Sequence, residues 1–216
     1  MNPQFWHRRW EASDIGFHKS DTHPLLLEHF NKLSLDAGSR IFLPLCGKTR
    51  DISWFLANGY LAAGVELSKL AVDQLFTESG LEPKLFIDGA FIHYTAHNLD
   101  VFVGDIFSLH GETLGKIDAV YDRAALVALP GDMRKRYVEH LIGIVAQKKQ
   151  LLICYEYDQE LMPGPPFSIS QEEIQSLYGR RYNITLIDSI NVDEGLKGRC
   201  DAVENTWLLR PLPLKV

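Results

Sequence analysis

Ile41-Phe-Leu-Pro-Leu-Cys-Gly-Lys-Thr-Arg-Asp-Ile-Ser-Trp-Phe-Leu-Ala-Asn-Gly-Tyr-Leu-Ala-Ala-Gly-Val-Glu66 is the stretch on which the fold turns. Its opening run, Ile41 to Cys46, is short and apolar, the pattern of a buried strand, and it ends at Gly47. Asp51–Ala57 then places Ile52, Phe55 and Leu56 at helical spacing, and Asn58-Gly59 reads as the helix stop. Tyr60–Val65 is a second buried strand that finishes at Glu66. Strand, helix and strand in this order imply parallel strands joined by a crossover helix and covered on both faces.

The same alternation continues outward. Ser68 caps a helix whose apolar face is Leu70, Ala71, Leu75 and Phe76, closed by Gly80. Leu99–Val103 and Ile117–Tyr121 read as the third and fourth strands, followed by Gly104-Asp105 and Asp122-Arg123. Pro130-Gly-Asp132 opens a helix with Tyr137, Leu141, Ile144 and Val145 on one face, and Gln150–Tyr155 is the fifth strand. Ser170-Gln-Glu-Glu173 is a capping box before a helix ending near Gly179. Tyr182–Val192 and Asn205–Leu209 follow with no helix between them, which predicts an antiparallel pair at the C-terminal end. The fold expected is α/β, a doubly wound and mostly parallel sheet of about seven strands. Residues 1–216 are expected to form one domain, with 1–35 as an N-terminal helical lid.

Composition fits a packed domain. The 216 residues are 46% hydrophobic and 23% charged, enough apolar side chains to fill a core and too many for a disordered chain. A formal charge of −6 argues against a broad nucleic-acid surface. Cys46, Cys154 and Cys200 form no CxxC and leave an odd count. The N-terminus lacks the apolar core of a secretory signal, so reduced thiols and a cytoplasmic location are expected. The longest apolar runs, such as Ala124–Leu129, fall far short of the roughly 20 residues that a spanning helix needs. One compact domain needs no partner to complete its core, so a monomer is expected.

In doubly wound sheets ligands bind beyond the carboxyl ends of the strands. That rule selects Leu45–Lys48, Glu66, Asp105 and Arg123. Gly47-Lys48-Thr49 looks like the end of a phosphate-binding loop, but that motif needs a glycine where this chain has Phe42. Glu66 stands at the tip of the second strand, where a carboxylate can accept both hydroxyls of a ribose. No GxGxxG precedes it, so a pyrophosphate has no seat. A ligand with ribose and no phosphates fits better, and S-adenosylmethionine is the common metabolite of that description. Asp105 can accept from an adenine amino group, with Ile106 and Phe107 over the ring. Arg123 supplies a fixed cation where the reacting end of such a ligand would lie. Trp6 and Trp10 share one helical face, with Phe17 close behind, and their rings can cover a sulfonium or staple the helix to the core. His93 and His97 are four apart without a third ligand, so no metal site is expected. Cys46 lacks a visible base and reads as a buried thiol.

Phe42-Leu-Pro-Leu-Cys-Gly-Lys-Thr-Arg-Asp-Ile-Ser-Trp-Phe-Leu56, followed by Gly64-Val-Glu-Leu-Ser68, closely resembles the thiopurine S-methyltransferase family. Phe5-Trp-His-Arg-Arg-Trp10 with Phe17-His18, Asp122-Arg-Ala-Ala-Leu-Val-Ala128 and Pro163-Gly-Pro-Pro-Phe167 resemble it as well. The likeness runs from about residue 4 to 209, and its spacing is closer to bacterial members than to animal ones. The resemblance implies a seven-stranded methyltransferase fold with S-adenosyl-L-methionine as methyl donor. It implies cofactor contacts from Trp6, Trp10, Leu45, Glu66 and Arg123, with Asp105 and Ile106 near the adenine. Phe17 and Arg123 are implied on the acceptor side. The implied acceptors are small aromatic or heterocyclic thiols such as thiopurines, extended in some bacterial members to selenium and tellurium compounds. No residue is assigned as a catalytic acid or base, because an aromatic thiol ionises readily and displacement then rests on positioning. The resemblance weakens over Asp193–Cys200, where the family carries a basic residue near the acceptor; Lys197 and Arg199 are both open for that place. The alternatives are an O- or N-methyltransferase of the same fold, a non-catalytic S-adenosylmethionine-binding protein, and the nucleotide phosphatase suggested by Gly-Lys-Thr.

Overall fold

The computed structural model describes residues 3–213. Two short helices, α1 (Pro3–Glu11) and α2 (Pro24–His29), precede the sheet. The alternating body follows as β1 (Arg40–Pro44), α3 (Asp51–Ala57), β2 (Leu61–Glu66), α4 (Lys69–Ser79), β3 (Lys84–Asp88), β4 (Phe91–Ala96) and β5 (Leu99–Val103). It continues through α5 (Gly111–Leu114), β6 (Ala119–Arg123), α6 (Gly131–Ile144), β7 (Lys149–Tyr157), α7 (Gln171–Tyr178), β8 (Tyr182–Asn191) and β9 (Ala202–Pro211). The order across the sheet is β3-β4-β5-β2-β1-β6-β7-β9-β8. The strands from β5 to β7 are parallel, and β9 and β8 add the expected antiparallel pair at one edge.

All seven expected strands are present, but among the described residues the sheet has nine. The two additional ones are β3 and β4, an antiparallel hairpin on the flank of β5. Its two-residue turn is Gly89-Ala90, and Gly89 has φ +56°, a conformation that favours glycine at the first turn position. Every residue of β3 is exposed, so it shows neither a continuous buried run nor an in-and-out alternation. That is why the strand carries no burial signal.

Each central strand is buried on both faces. Phe42, Ala63, Val65, Val120 and Leu152 face one layer, filled by Tyr137 and Leu141 of α6 and Ile174 and Tyr178 of α7. Ile41, Leu43, Ala62, Tyr121 and Leu151 face the other layer. There they meet Leu26, Phe30, Ile52, Phe55, Val72 and Phe76. Residues 24–33 therefore belong to the core, whereas the stretch before them borders the strand ends. The capping predictions hold: Ser68 Oγ accepts the Ala71 N–H at 3.3 Å and Ser170 Oγ accepts the Glu173 N–H at 3.2 Å. From β1 the chain steps outward to β2 and β5, then returns to the other side of β1 as β6. The switch point between β1 and β6 opens the crevice in which ligands of such sheets bind.

Candidate active site

The carboxyl ends of β1, β2, β5 and β6 converge on a cavity of about 430 Å³, within the size range of small-ligand pockets. Leu45, Glu66, Asp105, Ile106 and Arg123 line it from the strand ends, and Trp6, Trp10 and Phe17 from the N-terminal wall. Every residue that the sequence singles out for the site thus faces one cavity.

The wall is set by unusual backbone. Leu45, after β1, has φ +47°, and Ala124, after β6, has φ +66°. A left-handed conformation costs a residue with a side chain roughly 1–3 kcal/mol, so packing has to hold both turns in place. Gly47 also has φ +52°, and a Cβ there would stand 3.0 Å from the Trp10 ring. Two constraints therefore require glycine. Glu66 joins the turns: Oε2 accepts the Gly47 N–H at 2.9 Å and Oε1 accepts the Ser68 N–H at 2.8 Å. Burial raises the Glu66 pKa, and the N–H groups of Ser68, Gly47 and Leu67 pull against that rise.

Asp105 Oδ1 accepts the Phe107 N–H at 3.0 Å and caps the short turn Ile106–Ser108. Ile106 is buried, and Phe107 lies under the Arg136 guanidinium at 4.0 Å. On the opposite wall, Phe17 meets Trp6 and Trp10 edge-to-face, with ring centroids 5.7 and 5.5 Å away. Trp10 is buried and Trp6 half-buried, so the two rings both staple α1 to the core and form wall.

Arg123 and its neighbour Asp122 part company, as alternation along β6 requires. Asp122 is fully buried, accepts from the Tyr137 hydroxyl at 2.6 Å and the Leu126 N–H at 3.1 Å, and has its pKa pushed by burial up to about 6. The two do not form a surface pair. Arg123 is half-buried, and its guanidinium has no ion pair or hydrogen bond with another described residue. The Glu204 carboxylate across the cavity feels its charge but makes no direct pair with it, so a ligand anion can still complete it.

Gly47-Lys48-Thr49 does not form a phosphate cradle. The Gly47 N–H is held by Glu66, and Lys48 Nζ is committed to Glu78 at 2.6 Å. His93 and His97 do not converge: His93 bonds Asp100 at 2.9 Å and stacks on Phe102, while His97 meets Asn98. Cys46 is buried, and desolvation raises its pKa well above that of a free thiol, as an inert cysteine requires.

Residues from distant segments complete the floor. Asp51 accepts the His23 N–H at 2.8 Å and the Tyr121 hydroxyl at 3.1 Å. Glu204 on β9 lies 3.2 Å from His23 Nε2 and bonds the Tyr155 hydroxyl. Burial pushes Glu204 up, but His23, Tyr155 and the charge of Arg123 together outweigh it and hold its carboxyl below the usual range. Asp51, Tyr121, Tyr155 and Glu204 all line the cavity, and no local motif marks them. Of the two basic residues left open, Lys197 lines the mouth and donates to the Pro165 carbonyl at 2.7 Å; Arg199 does not line it.

Comparison with known proteins gives the family and the fold. The family model of thiopurine S-methyltransferase (TPMT) matches residues 1–207. The chain belongs to the thiopurine S-methyltransferase family. It is 52% identical over 210 residues to the thiopurine S-methyltransferase of Xanthobacter autotrophicus, covering 97% of this chain and 99% of that one. The Gluconobacter oxydans thiopurine S-methyltransferase is 42% identical, covering 98% and 96%. In fold, the chain is similar to 1,6-didemethyltoxoflavin-N1-methyltransferase of Burkholderia thailandensis, solved with S-adenosylhomocysteine. That match has a TM-score of 0.65 at 14% identity, over 96% of this chain and 87% of that one. A TehB-like SAM-dependent methyltransferase of Corynebacterium glutamicum matches at a TM-score of 0.58 and 9% identity, over 97% and 98% of the two chains. The chain is an enzyme of this family on the S-adenosylmethionine-dependent methyltransferase fold. Among the described residues no helix is long and apolar enough to cross a membrane.

Proposed function

We propose that the cavity binds S-adenosyl-L-methionine and a small aromatic or heterocyclic thiol, and that the chain methylates the sulfur. The carrying observation is the pairing in one cavity of a buried, backbone-anchored Glu66 with an unpaired, half-buried Arg123. The residues suit the cofactor. Glu66 spends one lone pair of each oxygen on backbone N–H groups, and the remaining lone pairs are acceptors for ribose hydroxyls. Asp105 Oδ2 has no partner among the described residues and suits an amino donor. When bound, the cofactor supplies an electrophilic methyl group on a sulfonium.

The protein's share of the chemistry is positioning and charge. Arg123 favours the thiolate of an acceptor over its thiol, because its guanidinium is not spent on a direct ion pair. Trp6, Trp10 and Phe17 cover the cavity and exclude water, and their faces are compatible with a positively charged ligand. Correct orientation of two reactants can supply roughly 7–11 kcal/mol of the barrier, so no base is required for an acceptor that is already ionised. Residues 3–19 act as a lid in this reading, and selenium or tellurium nucleophiles fit the same logic.

The test is turnover with labelled S-adenosylmethionine on a panel of thiols, selenols and hydroxyl compounds. Label should appear in aromatic thiols first. Binding is checked by thermal shift, since a ligand at 100 times its dissociation constant adds about 2.7 kcal/mol of stability. No shift with S-adenosylmethionine or S-adenosylhomocysteine would remove the proposal, and binding without transfer to any acceptor would reduce the chain to a binding protein.

A further inference from the structure

Arg123 and Glu204 project from one face of the sheet, from strands two apart. Arg123 is in register with Ile153 of β7. Tyr155, two residues further along β7 and therefore on the same face, is in register with Glu204 of β9. All four line the cavity. Two strand spacings, about 9–10 Å, separate the backbones of β6 and β9. Among the described residues the two charged groups make no direct pair, although each feels the other across the cavity.

Asp51, which shares His23 with Glu204, is spent. Its Oδ1 accepts the His23 N–H at 2.8 Å, its Oδ2 accepts the Tyr121 hydroxyl at 3.1 Å, and the residue is fully buried. Glu204 keeps capacity. Its donors are His23 Nε2, 3.2 Å from Oε1, and the Tyr155 hydroxyl. His23 Nδ1 is buried with no partner among the described residues, which fits the tautomer that carries its proton on Nε2 and donates it to Glu204. A carboxylate has about four lone-pair sites, so about two remain for a ligand. Burial pushes the Glu204 pKa up, but His23, Tyr155 and Arg123 hold it below the usual range, so the group is a carboxylate at neutral pH.

We propose that Glu204 determines which acceptors the enzyme prefers: its carboxylate accepts an N–H on the ring edge opposite the sulfur, while Arg123 faces the sulfur. The preferred acceptors are then heterocyclic thiols in their thione form, with a ring N–H across from the C=S group. This rests on the methyl-transfer reading and adds a second anchor to it. Opposite charges at the two ends favour the charge-separated form of such a thione, with negative sulfur and positive N–H. That form is the better sulfur nucleophile, and the charges that favour it are already in place before the acceptor arrives. In the transfer step the sulfur forms a bond to the methyl carbon. The bond from that carbon to the sulfonium breaks, and its electron pair stays on the departing thioether sulfur. The ring proton remains on nitrogen, bonded to Glu204, and passes to water once the product has left. A carbocyclic thiol has no such donor and gains only from Arg123.

Initial-rate kinetics of the full chain with S-adenosylmethionine and a graded set of acceptors test this. 4-Mercaptopyridine carries its N–H opposite the sulfur, 2-mercaptopyridine carries it beside the sulfur, and thiophenol has none. 1-Methylpyridine-4-thione keeps the C=S group but has N–CH3 in place of N–H. In the parent, the N-methylated thione should show a kcat/KM roughly tenfold below that of 4-mercaptopyridine, the effect of one charge-assisted hydrogen bond. Glu204→Gln keeps the size and a carbonyl oxygen but loses the charge. It should lower the ratio of kcat/KM for 4-mercaptopyridine to that for thiophenol by roughly tenfold, and leave the corresponding ratio for 2-mercaptopyridine in place. A structural role alone would lower all acceptors together and move neither ratio. Equal kcat/KM for the two 4-thiones in the parent, unmoved ratios in Glu204→Gln, or a fall as large for 2-mercaptopyridine would each overturn the proposal. If the parent methylates none of the thiols, the methyl-transfer reading falls and this proposal with it, whereas turnover with unmoved ratios removes only the role of Glu204.

Discussion

Glu66 Oε2 accepts the Gly47 N–H at 2.9 Å, so the carboxylate at the end of β2 holds the turn that follows β1. Its other oxygen does the same for Ser68 at 2.8 Å. Glu66→Ala therefore leaves two buried N–H groups without acceptors and removes the proposed ribose contact. The expected loss of stability is about 3–6 kcal/mol, read by urea unfolding, since the two bonds to a charged acceptor contribute about 1.5–3 kcal/mol each. Affinity for S-adenosylhomocysteine should fall by roughly 10- to 100-fold in calorimetric titration, on the same bond energies. An unchanged affinity would mean that Glu66 is only structural.

Gly47 lies under the Trp10 ring, and its φ of +52° is one that alanine resists. Gly47→Ala should cost about 1–3 kcal/mol of stability from backbone strain alone, with more where the indole has to move. Displacement of Trp10 should also loosen α1 and make the bonds after Arg8 and Arg9 cleavable by trypsin. Faster cleavage there in Gly47→Ala, slowed again by S-adenosylhomocysteine, is the expected pattern. Cleavage at the parent rate would show that α1 does not depend on this contact.

What was legible in the sequence was whatever a local pattern encodes. Ile41–Cys46 is apolar on both faces because β1 is central, so the run announced itself, as did the Ser68 and Ser170 caps. Glu66 and Arg123 were legible through one topological rule, that ligands meet the strand tips. The β3–β4 hairpin was not, because an exposed edge strand has no burial periodicity to display. The floor of the cavity was hidden for a different reason. Asp51, Tyr121, Tyr155 and Glu204 come from four elements and meet only through the sheet order, and nothing around Glu204 in its own strand distinguishes it from a solvent-facing acid.

Asp122 is a buried acid whose pKa is raised by desolvation to about 6, from 3.8 in an unfolded chain. The folded state therefore holds its proton more tightly than the unfolded state between these values. Wild-type stability relative to Asp122→Asn should fall as pH rises from about 4 to 6 and level off above, with a total change on the order of 3 kcal/mol. Denaturant unfolding of both proteins across that range reads the difference directly. A pH-independent difference would show that Asp122 is not the group responsible. Tyr137→Phe should raise the Asp122 pKa further, because it removes the 2.6 Å bond to the carboxylate.

Arg123 makes no ion pair or hydrogen bond among the described residues, although its charge is felt by Glu204 across the cavity, so its field should also act on the acceptor. For a thiol acceptor, kcat/KM rises with pH as the thiol ionises in the site. Arg123→Ala should move that rise to higher pH and lower the plateau, on the order of 10-fold for loss of one charge-assisted contact of about 1.5 kcal/mol. Arg123→Lys should recover the position of the pH profile better than the plateau, since an ammonium keeps the charge but loses the planar fork. If the profile of Arg123→Ala overlaid that of the parent, Arg123 would not be favouring the thiolate.

Lys197 stands at the mouth, bonded to the Pro165 carbonyl at 2.7 Å and lining the cavity. Partial burial and the nearby Arg9 lower its pKa, so the ammonium gains from an anion brought close to it. An ammonium has three donors; one is spent on Pro165, and the others can meet an acceptor. Lys197→Met removes both the bridge between the two loops and the charge. The expected result is a KM for an anionic acceptor raised roughly five- to tenfold, equivalent to about 1–1.5 kcal/mol, with S-adenosylhomocysteine affinity unchanged. An uncharged acceptor should show a smaller rise, because only the bridge is lost. Lys197→Arg separates the two effects: its guanidinium can still reach a carbonyl and an anion together, so it should restore most of the KM. Arg199→Met, at a position that does not line the cavity, should leave both constants alone. If Arg199→Met raised the acceptor KM and Lys197→Met did not, the acceptor would approach from the Arg199 side of the loop, and the mouth assigned to Lys197 would be the wrong one.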